Sequence, residues 1–423
     1  MIKEFDSIIG YTEEKSELER ICDIMRDPEK YRKLGVTTPR GILIEGDPGL
    51  GKTLMAKCFI KASGRKTFTC RKDRPDGNFV DEIKRIFEEA KKEAPSIVFL
   101  DDMDKFANED FHHRNAEAFV TIQSCIDECR DHEVFVLATA NELDCLPDSL
   151  LRAGRFDKIL EIETPGYEDA VKIVRHYLSQ KKYVSDVDVE EITSILNGRS
   201  CAELETVINE AGIYAGFAGK ESIEMEDIVK ACLRVIFSAP EADNCEKAYL
   251  DEVAYHEAGH AVVHEVLEPG TIYLISVATY SGDIGGVTSY SQDDNYYKDK
   301  KFMENRVKAV LGGRAASEIV FGKTDTGANS DLHRAFDLVT RFVDNYCTYG
   351  FSMFQNCNTG AGLNDRKDLA VSVEMERFYM ETKRILIENR AFLDALAKEL
   401  IEKKTLLKKD IERIRKGLSE NAA

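Results

Sequence analysis

Short apolar runs alternate with helical stretches along about the first 160 residues of the chain. This alternation predicts a parallel β-sheet flanked by helices. The predicted strands are Gly41–Ile44, Thr67–Thr69, Ile97–Leu100, Val134–Ala138 and Ile159–Ile162.

The pattern changes at the turn Thr164-Pro165-Gly166 and is helical from Tyr167 to Phe237. The segment from Ser238 to Asn244 is polar and contains a proline, which predicts a linker. We therefore expect three domains, over residues 1–164, 165–238 and 245–423. The helices predicted for the middle domain are Ala170–Leu178, Val189–Leu196, Ala202–Ala218 and Met225–Val235.

The last domain is predicted to be mainly helical. A strand-like region from Ile272 to Tyr290 interrupts the helical pattern, and a charged amphipathic stretch from Glu374 to Lys403 is typical of long helices packed on their neighbours.

Composition narrows the class of protein. Of the 423 residues, 43% are hydrophobic and 32% charged, which is typical of globular domains. The net charge of −19 argues against non-specific nucleic-acid binding, because no basic stripe can replace counterions on phosphates. No apolar run approaches the length of a membrane span, and the eleven scattered cysteines indicate reduced thiols. We expect a cytoplasmic protein.

The segment Leu250 to Leu267 is predicted to be a helix, and it contains the motif His256-Glu257-Ala258-Gly259-His260. Histidines at i and i+4 project from one helix face at a separation that suits one zinc ion. Glu257 can then act as a general base on a water at the metal. The alternative is a surface helix that merely carries two histidines. The continuation with a glycine and a third histidine found in metzincins is excluded, since Val263 and Val266 occupy those positions.

A second motif, the phosphate loop, is the complete G-x-x-x-x-G-K-[ST] sequence from Gly46 to Thr53. It follows a predicted strand and precedes a helical stretch, Leu54 to Ala62, which is the context that nucleotide binding requires. Backbone N–H groups would surround the phosphates, Lys52 would reach the terminal ones, and Thr53 would bind Mg²⁺. Asp101, at the end of a later strand, is expected to hold the Mg²⁺ through water. The nucleotide-binding residues of the loop are Gly46, Asp47, Pro48, Gly49, Leu50, Gly51, Lys52 and Thr53.

An ATPase followed by a helical domain and then by H-E-x-x-H resembles the FtsH family of AAA+ zinc proteases. Further blocks resemble the family along nearly the whole chain: Tyr31–Gly35, Leu151–Asp157, Ala254–Ala261, Gly312–Ala316 and Thr326–Asp331. The resemblance implies an α/β AAA+ domain with a helical lid, followed by a mainly α zinc metallopeptidase domain. It also implies an ATP-dependent endopeptidase that degrades proteins and uses Zn²⁺, ATP and Mg²⁺.

The resemblance assigns the third zinc ligand to Asp331. From the residues alone, Asn329 or Ser330 could instead cap a helix that begins near Asp331, where an acidic side chain is favourable in any case. His264 and His333 do not match the family pattern, and we interpret both as ordinary polar positions.

The resemblance also identifies Arg152 and Arg155 as paired arginine fingers, which act on ATP bound by a neighbouring subunit and therefore imply a ring, by resemblance a homohexamer. The alternative for the two arginines is a salt-bridged surface pair. Asn141 matches the polar sensor that orients the attacking water.

Three features depart from the family pattern. Asp102 stands where the family has a glutamate, so its carboxylate is one methylene short, and a displacement of about 1 Å can cost on the order of 100-fold in rate. The stretch Arg71 to Asn78 is charged where the family has an aromatic-hydrophobic pore loop, and Phe79 is the nearest aromatic residue. No stretch matches the family's N-terminal membrane helices. An alternative function is thus a zinc peptidase whose ATPase ring is slow or mainly structural, and a weaker one is an ATPase remodeller without proteolysis.

Overall fold

The structure is a computed structural model, and it describes residues 2–36, 38–72, 79–106, 117–152, 154–238, 249–277, 286–290, 299–323, 326–346 and 361–421. The chain divides into two compact units. The first comprises residues 1–182 and 198–209, and the second comprises residues 183–197 and 210–423. This division differs from the three domains expected above, which stay a prediction. Most of the predicted linker lies outside the described residues.

The first unit is built on a parallel sheet, as predicted. Its strands are β1 (Gly41–Glu45), β2 (Lys66–Arg71), β3 (Ser96–Asp101), β4 (Val134–Ala140) and β5 (Lys158–Glu161). They pair in the order β2-β3-β4-β1-β5. Every residue of β3 and β4 is buried, as expected for a parallel sheet covered by helices. The helices are α1 (Thr12–Arg26), α2 (Pro28–Arg32), α3 (Lys52–Ser63), α4 (Phe79–Lys92), α5 (Glu117–Glu128) and α6 (Tyr167–Ser179).

The parallel sheet determines where polar side chains of this unit meet. The loop that begins at Gly46 follows β1, Asp101 ends β3, and Asn141 follows β4. These three strands are neighbours and parallel, so their carboxyl ends share one edge of the sheet. Ligands of open parallel sheets bind at this edge.

The four helices predicted for the middle domain are also present, and their ends lie within three residues of the predicted ends. They are α6, whose bounds are given above, together with α7 (Val189–Ile195), α8 (Cys201–Phe217) and α9 (Met225–Phe237). Helix α8 begins in the first unit and ends in the second.

The remainder of the second unit is mainly helical, as expected, with a small antiparallel sheet. Its helices are α10 (Leu250–Leu267), α11 (Lys300–Val310), α12 (Gly312–Phe321), α13 (Asn329–Asp344), α14 (Ala361–Glu388), α15 (Arg390–Lys403) and α16 (Lys408–Asn421). Its strands are β6 (Ile272–Ser276), β7 (Val287–Tyr290) and β8 (Thr405–Leu407), in the order β7-β6-β8.

Helix α10 carries the histidine motif and is packed closely against α12. A Cβ atom at Gly259 would lie 2.4 Å from the carbonyl oxygen of Gly312, so both backbones approach at residues without side chains. Ala258 and Ala261 of α10 and Ala315 of α12 are fully buried beside this crossing. Small residues thus allow the two helices to meet. Among the described residues, no helix is long and apolar enough to cross a membrane.

Candidate active sites

The phosphate loop has the conformation that its glycines permit. Gly51 has φ +93° and immediately precedes α3, a backbone conformation that favours glycine. Lys52 is buried, and its Nζ donates to the carbonyl oxygens of Gly46 (2.6 Å) and Asp47 (2.7 Å). Burial lowers the pKa of Lys52, against the opposing charges of Asp104 and Asp102. The ammonium group is therefore held at the loop, where it fits a nucleotide phosphate.

Asp101 and Thr53 meet at the edge of the sheet. Asp101 is buried, and its Oδ1 accepts hydrogen bonds from Thr139 (2.9 Å) and Thr53 (3.5 Å). A hydroxyl and a carboxylate beside the lysine of a phosphate loop are the oxygen donors that Mg²⁺ prefers with a nucleotide. The residues present therefore fit Mg²⁺ and ATP.

Asp102 and Asn141 lie at the same edge. The backbone of Asp102 is left-handed, with φ +56°, and its amide donates to Thr139 Oγ1. Its carboxylate accepts a 2.6 Å bond from Lys105. Asn141 donates from its amide and from its side chain to the two carboxylate oxygens of Asp104, at 2.9 and 3.1 Å. The structure thus places both residues at the edge of the sheet from which the phosphate loop starts.

The two predicted finger residues differ in their surroundings. Arg152 is exposed. Arg155 is largely buried, pairs with Asp127 at 2.8 Å, and donates to the carbonyl oxygen of Ser149. The hydrogen bond from Arg155 lowers the pKa of Asp127. Within one chain, then, Arg155 already has an anionic partner.

Phe79, the aromatic residue nearest to the expected pore loop, lies in the core. It is 7% exposed and packs edge-on against Phe106, with ring centroids 4.9 Å apart. It therefore cannot grip a substrate from this position. Residues 73–78 of the predicted loop lie outside the described residues.

The second site joins α10 and α13. His256 Nε2 and His260 Nε2 are 3.1 Å apart, and Asp331 Oδ2 lies 3.1 and 3.2 Å from them. All three side chains are mostly buried, and they are the one His, Cys, Asp or Glu cluster in the described chain with metal-ligand spacing. Ligands of a tetrahedral zinc with bonds of about 2.0–2.1 Å lie roughly 3.3 Å apart. The three atoms therefore fit a zinc ion.

Gly313 adds an independent reason that this cluster fits a metal. A Cβ atom there would lie 2.4 Å from His256 Nε2 and 2.5 Å from His260 Nε2. Helix α12 thus approaches the nitrogens closely without covering them with a side chain. The motif around Gly313 was noted in the sequence as a family-like block, but its role follows only from the fold.

Hydrogen bonds and charge prepare His260 to bind a cation. Its Nδ1 lies 2.8 Å from the carbonyl oxygen of Ala309, which favours a proton on Nδ1 and leaves Nε2 to act as a ligand. Burial lowers the pKa of His260, but the hydrogen bond and charge of Asp331 outweigh it and raise the pKa to about 9. Burial raises the pKa of Asp331, yet the two histidines hold it well below its usual range. The centre of the cluster therefore favours positive charge.

The capping alternative for the segment around Asp331 is wrong. Helix α13 begins at Asn329, its N-cap is Ala328, and no side chain caps it. A short 3-10 helix, Thr326–Ala328, leads into α13 and supplies the turn. Asp331 lies in the first turn of α13 with its carboxylate at the two histidines.

Glu257 has neighbours that sequence reasoning missed. It is 6% exposed, and Thr288 on β7 donates to its Oε2 at 2.8 Å and to its backbone carbonyl at 3.2 Å. A Cβ atom at Gly286 would lie 2.3 Å from Glu257 Cγ. Residues on and just before β7 therefore hold the carboxylate of Glu257. No local signal in the sequence links them, because the contact spans two elements.

The interpretation of His264 as an ordinary polar position is wrong, whereas His333 is exposed, which agrees with that interpretation. His264 is 4% exposed and stacks on Tyr290, with ring centroids 4.6 Å apart. Its Nδ1 is 3.0 Å from the hydroxyl of Thr271. Burial, with a smaller contribution from Arg306, lowers its pKa to about 4. His264 is therefore a neutral core residue, on the same face of α10 as His260.

Comparison with known proteins gives two family matches that agree with the two sites. Residues 42–164 match the ATPase family associated with various cellular activities (AAA), and residues 244–414 match peptidase family M41. The phosphate loop lies in the first match, and the histidine motif and Asp331 lie in the second.

Relatives that align with nearly the whole of this chain are named as ATP-dependent zinc metalloproteases. The chain is 31% identical to ATP-dependent zinc metalloprotease FtsH 2 of Thermoanaerobacter sp. (strain X514), over 96% of this chain and 82% of the relative. It is 30% identical to ATP-dependent zinc metalloprotease FtsH 2 of Phytoplasma mali (strain AT), over 97% of this chain and 62% of the relative. It is also 30% identical to ATP-dependent zinc metalloprotease FtsH of Caldicellulosiruptor bescii, over 97% of this chain and 71% of the relative.

The fold and the two sites define an AAA ATPase joined to a zinc metallopeptidase. The chain belongs to the FtsH family of ATP-dependent zinc metalloproteases. Its activity is ATP-driven zinc proteolysis, and its cofactors are Zn²⁺ and ATP with Mg²⁺.

Proposed function

We propose that His256, His260 and Asp331 hold the catalytic zinc of this protease. The observation that carries the proposal is the mutual distance of 3.1–3.2 Å between their ligand atoms. When bound, zinc lowers the pKa of a coordinated water to about 7 and polarises the scissile carbonyl. The fourth position of the metal would be left to water or substrate, as in other catalytic zinc sites.

Glu257 would act as the general base. Thr288 engages its Oε2, so Oε1 is the oxygen that accepts the proton from the attacking water. The same carboxyl group would then pass that proton to the leaving amine. Its orientation matters, since a base must lie within hydrogen-bond distance of the proton that it takes.

Metal analysis of purified protein tests the ligand set. Asp331→Ala should lose most of its zinc, whereas Asp337→Ala, an exposed acid on the same helix, should keep it. Full zinc occupancy in Asp331→Ala would remove Asp331 from the site.

For the ATPase, we propose that Lys52, Thr53 and Asp101 bind ATP and Mg²⁺ and that Asn141 orients the attacking water. The carboxylate and hydroxyl oxygens of this group point to magnesium. Asp102 would help to activate that water, as the family's glutamate does.

Arg152 and Arg155 would complete the site of the next subunit in a homohexamer. Arg155 would then exchange or share its contact with Asp127. Light scattering with ATP present tests the ring, and a strictly monomeric protein at micromolar concentration would contradict it.

The remaining proposals concern organisation. Residues 1–164 would form the AAA+ domain, 165–238 the helical lid and 245–423 the peptidase domain. Protein or peptide chains would be the substrates, without nucleic acid as a partner. The eight described cysteines are all free thiols, which supports a cytoplasmic location.

A second candidate is a ring whose ATPase mainly assembles or gates the peptidase. Two observations favour it: Phe79 is buried in the core, and Asp102 carries the shorter side chain. ATP turnover measured with and without a folded protein substrate separates the two candidates. Stimulation by the folded substrate, together with its degradation, favours the motor.

A further inference from the structure

Two arginine side chains converge on Tyr290, the last residue of β7. The guanidinium carbon of Arg306 lies 3.9 Å from the centroid of the tyrosine ring, and Arg334 Nη2 donates to the tyrosine hydroxyl at 2.8 Å. His264 also stacks on the ring of Tyr290. We name Tyr290, Arg306 and Arg334 the arginine pocket.

The two arginines of the arginine pocket form no ion pair within the described part of the chain. Among the residues that the structure describes, neither arginine forms an ion pair with a carboxylate, although the whole chain has 77 acidic and 58 basic residues. The charge of Glu268 acts to raise the pKa of Arg306, but the hydrogen bond that its Oε1 accepts comes from Asn305 (3.3 Å). Arg306 is also half-buried. Two neighbouring guanidinium groups that are not ion-paired have the charge and the donors to bind a carboxylate.

The arginine pocket adjoins the proposed zinc site on three elements. On α13, Arg334 lies one turn after Asp331. On α11, Arg306 lies one turn before Ala309, and the carbonyl oxygen of Ala309 contacts His260. On β7, residues two apart lie on the same face of a strand, roughly 6.8 Å from each other. Thr288 contacts Glu257, and Tyr290 marks the arginine pocket.

These positions relate the arginine pocket to a bound peptide. Within the described chain, β7 is an edge strand, and an extended peptide can pair with such an edge. A peptide whose scissile bond lies at Glu257 would then have a residue at the arginine pocket about two positions away.

We propose that Arg306 and Arg334 bind a carboxylate of the substrate, about two residues from the scissile bond, and so make this protease prefer acidic peptides. The carboxylate is either an Asp or Glu side chain or the C-terminal carboxylate of the peptide. This proposal rests on the zinc site proposed above.

The test uses hydrolysis of short peptides by the full chain in the presence of ATP. Glu is compared with Gln at each of the three positions on either side of one cleaved bond. The wild type should cleave the Glu peptide at one position about tenfold faster in kcat/KM than its Gln partner, because a guanidinium binds a carboxylate more strongly than a neutral amide. Equal rates for Glu and Gln at every position, and for amidated and free C-termini, would overturn the proposal.

Variants identify the arginines responsible. Arg306→Gln and Arg334→Gln should each bring the ratio of kcat/KM for the Glu peptide to kcat/KM for the Gln peptide close to one. Arg384→Gln, at an exposed arginine of α14, is the matched control and should change neither. If Arg306→Gln and Arg334→Gln lower both rates equally, the arginines only support Tyr290 and the proposal is wrong.

Charge reversal and end-group chemistry complete the test. Arg334 is exposed, so Arg334→Glu should fold and shift the preference from Glu toward Lys at the same position. A preference that disappears on amidation identifies the C-terminal carboxylate as the ligand, and one that survives identifies a side chain. If Asp331→Ala loses all peptide hydrolysis, the proposed zinc site is supported. If the wild type in the same assay has no preference for acidic peptides, only the proposal for the arginine pocket is rejected.

Discussion

Thr288 Oγ1 donates a 2.8 Å hydrogen bond to Oε2 of Glu257, and this bond links a strand of the small sheet to the helix that carries the zinc motif. The hydroxyl also lies 3.2 Å from the backbone carbonyl of Glu257. The edge strand β7 therefore determines the direction of a carboxylate on α10. Orientation of a general base contributes directly to rate, since proton transfer needs a short and aligned contact.

Removing this hydroxyl should slow catalysis without removing the metal. Thr288→Val keeps the shape of the side chain but leaves Glu257 Oε2 without its donor, and we expect kcat to fall by about tenfold or more. Thr288→Ser is the control and should retain most of the rate. Peptide hydrolysis and zinc content are measured on the same preparations. An unchanged kcat in Thr288→Val would show that the bond has no part in positioning Glu257.

Glu257→Gln tests the base itself. The amide keeps the volume of the side chain but cannot accept the proton, so peptide hydrolysis should fall by at least about 100-fold while zinc stays bound. ATP hydrolysis should continue, because the phosphate loop lies in the other compact unit. Substantial peptide hydrolysis by this variant would mean that another group takes the proton.

Gly313→Ala tests the close approach of α12 to the zinc ligands. Its methyl carbon would lie 2.4 Å from His256 Nε2, a distance that real Cβ contacts do not reach, so the histidines must move. We expect zinc affinity to fall by about 10- to 100-fold, measured by competition with a chelator. Gly216→Ala, where a Cβ atom would meet nothing within 4 Å, is the control and should keep its zinc. If Gly313→Ala binds zinc with wild-type affinity, α12 can move away from the histidines with little loss of free energy.

Asp102→Glu tests whether the short side chain of Asp102 limits the rate of ATP hydrolysis. The swap moves the carboxylate outward by one methylene, so ATP turnover should rise by about threefold or more if reach is the only defect. Asp131→Glu, at an exposed site, should have no effect.

The structure also suggests how the opposite result could arise. Asp102 has a left-handed backbone and an ion pair with Lys105, and both could be adapted to the shorter acid. Rapid ATP hydrolysis by the wild type, slowed by Asp102→Glu, would contradict the interpretation that the shorter side chain of Asp102 limits the ATPase.

Local patterns predicted the elements well where no helix-breaking residue interrupts them. Helix α10 begins and ends at the predicted residues, Leu250 and Leu267, because an uninterrupted helical pattern leaves no earlier stop. The five predicted strands are all present, and each of their ends lies within two residues of its predicted position. Strand ends depend on pairing with neighbours, so they are less visible in the sequence.

The sequence by itself determined the chemistry that is local. His256 and His260 are one helical turn apart, and the phosphate loop is contiguous, so short-range geometry brings their groups together in any fold that keeps these elements. The role of Asp331 as the third zinc ligand is predicted only by family resemblance, since 71 residues separate it from His260.

Only the tertiary structure decided which distant residues serve these groups. Thr288 reaches Glu257 from β7, Gly313 approaches the histidines from α12, and Phe79 is buried although it stands nearest to the expected pore loop. None of these contacts has a periodic or contiguous signature, because each depends on how separate elements pack. Packing is set by the sum of many weak contacts across the core, and that sum cannot be read from the spacing of residues along one chain.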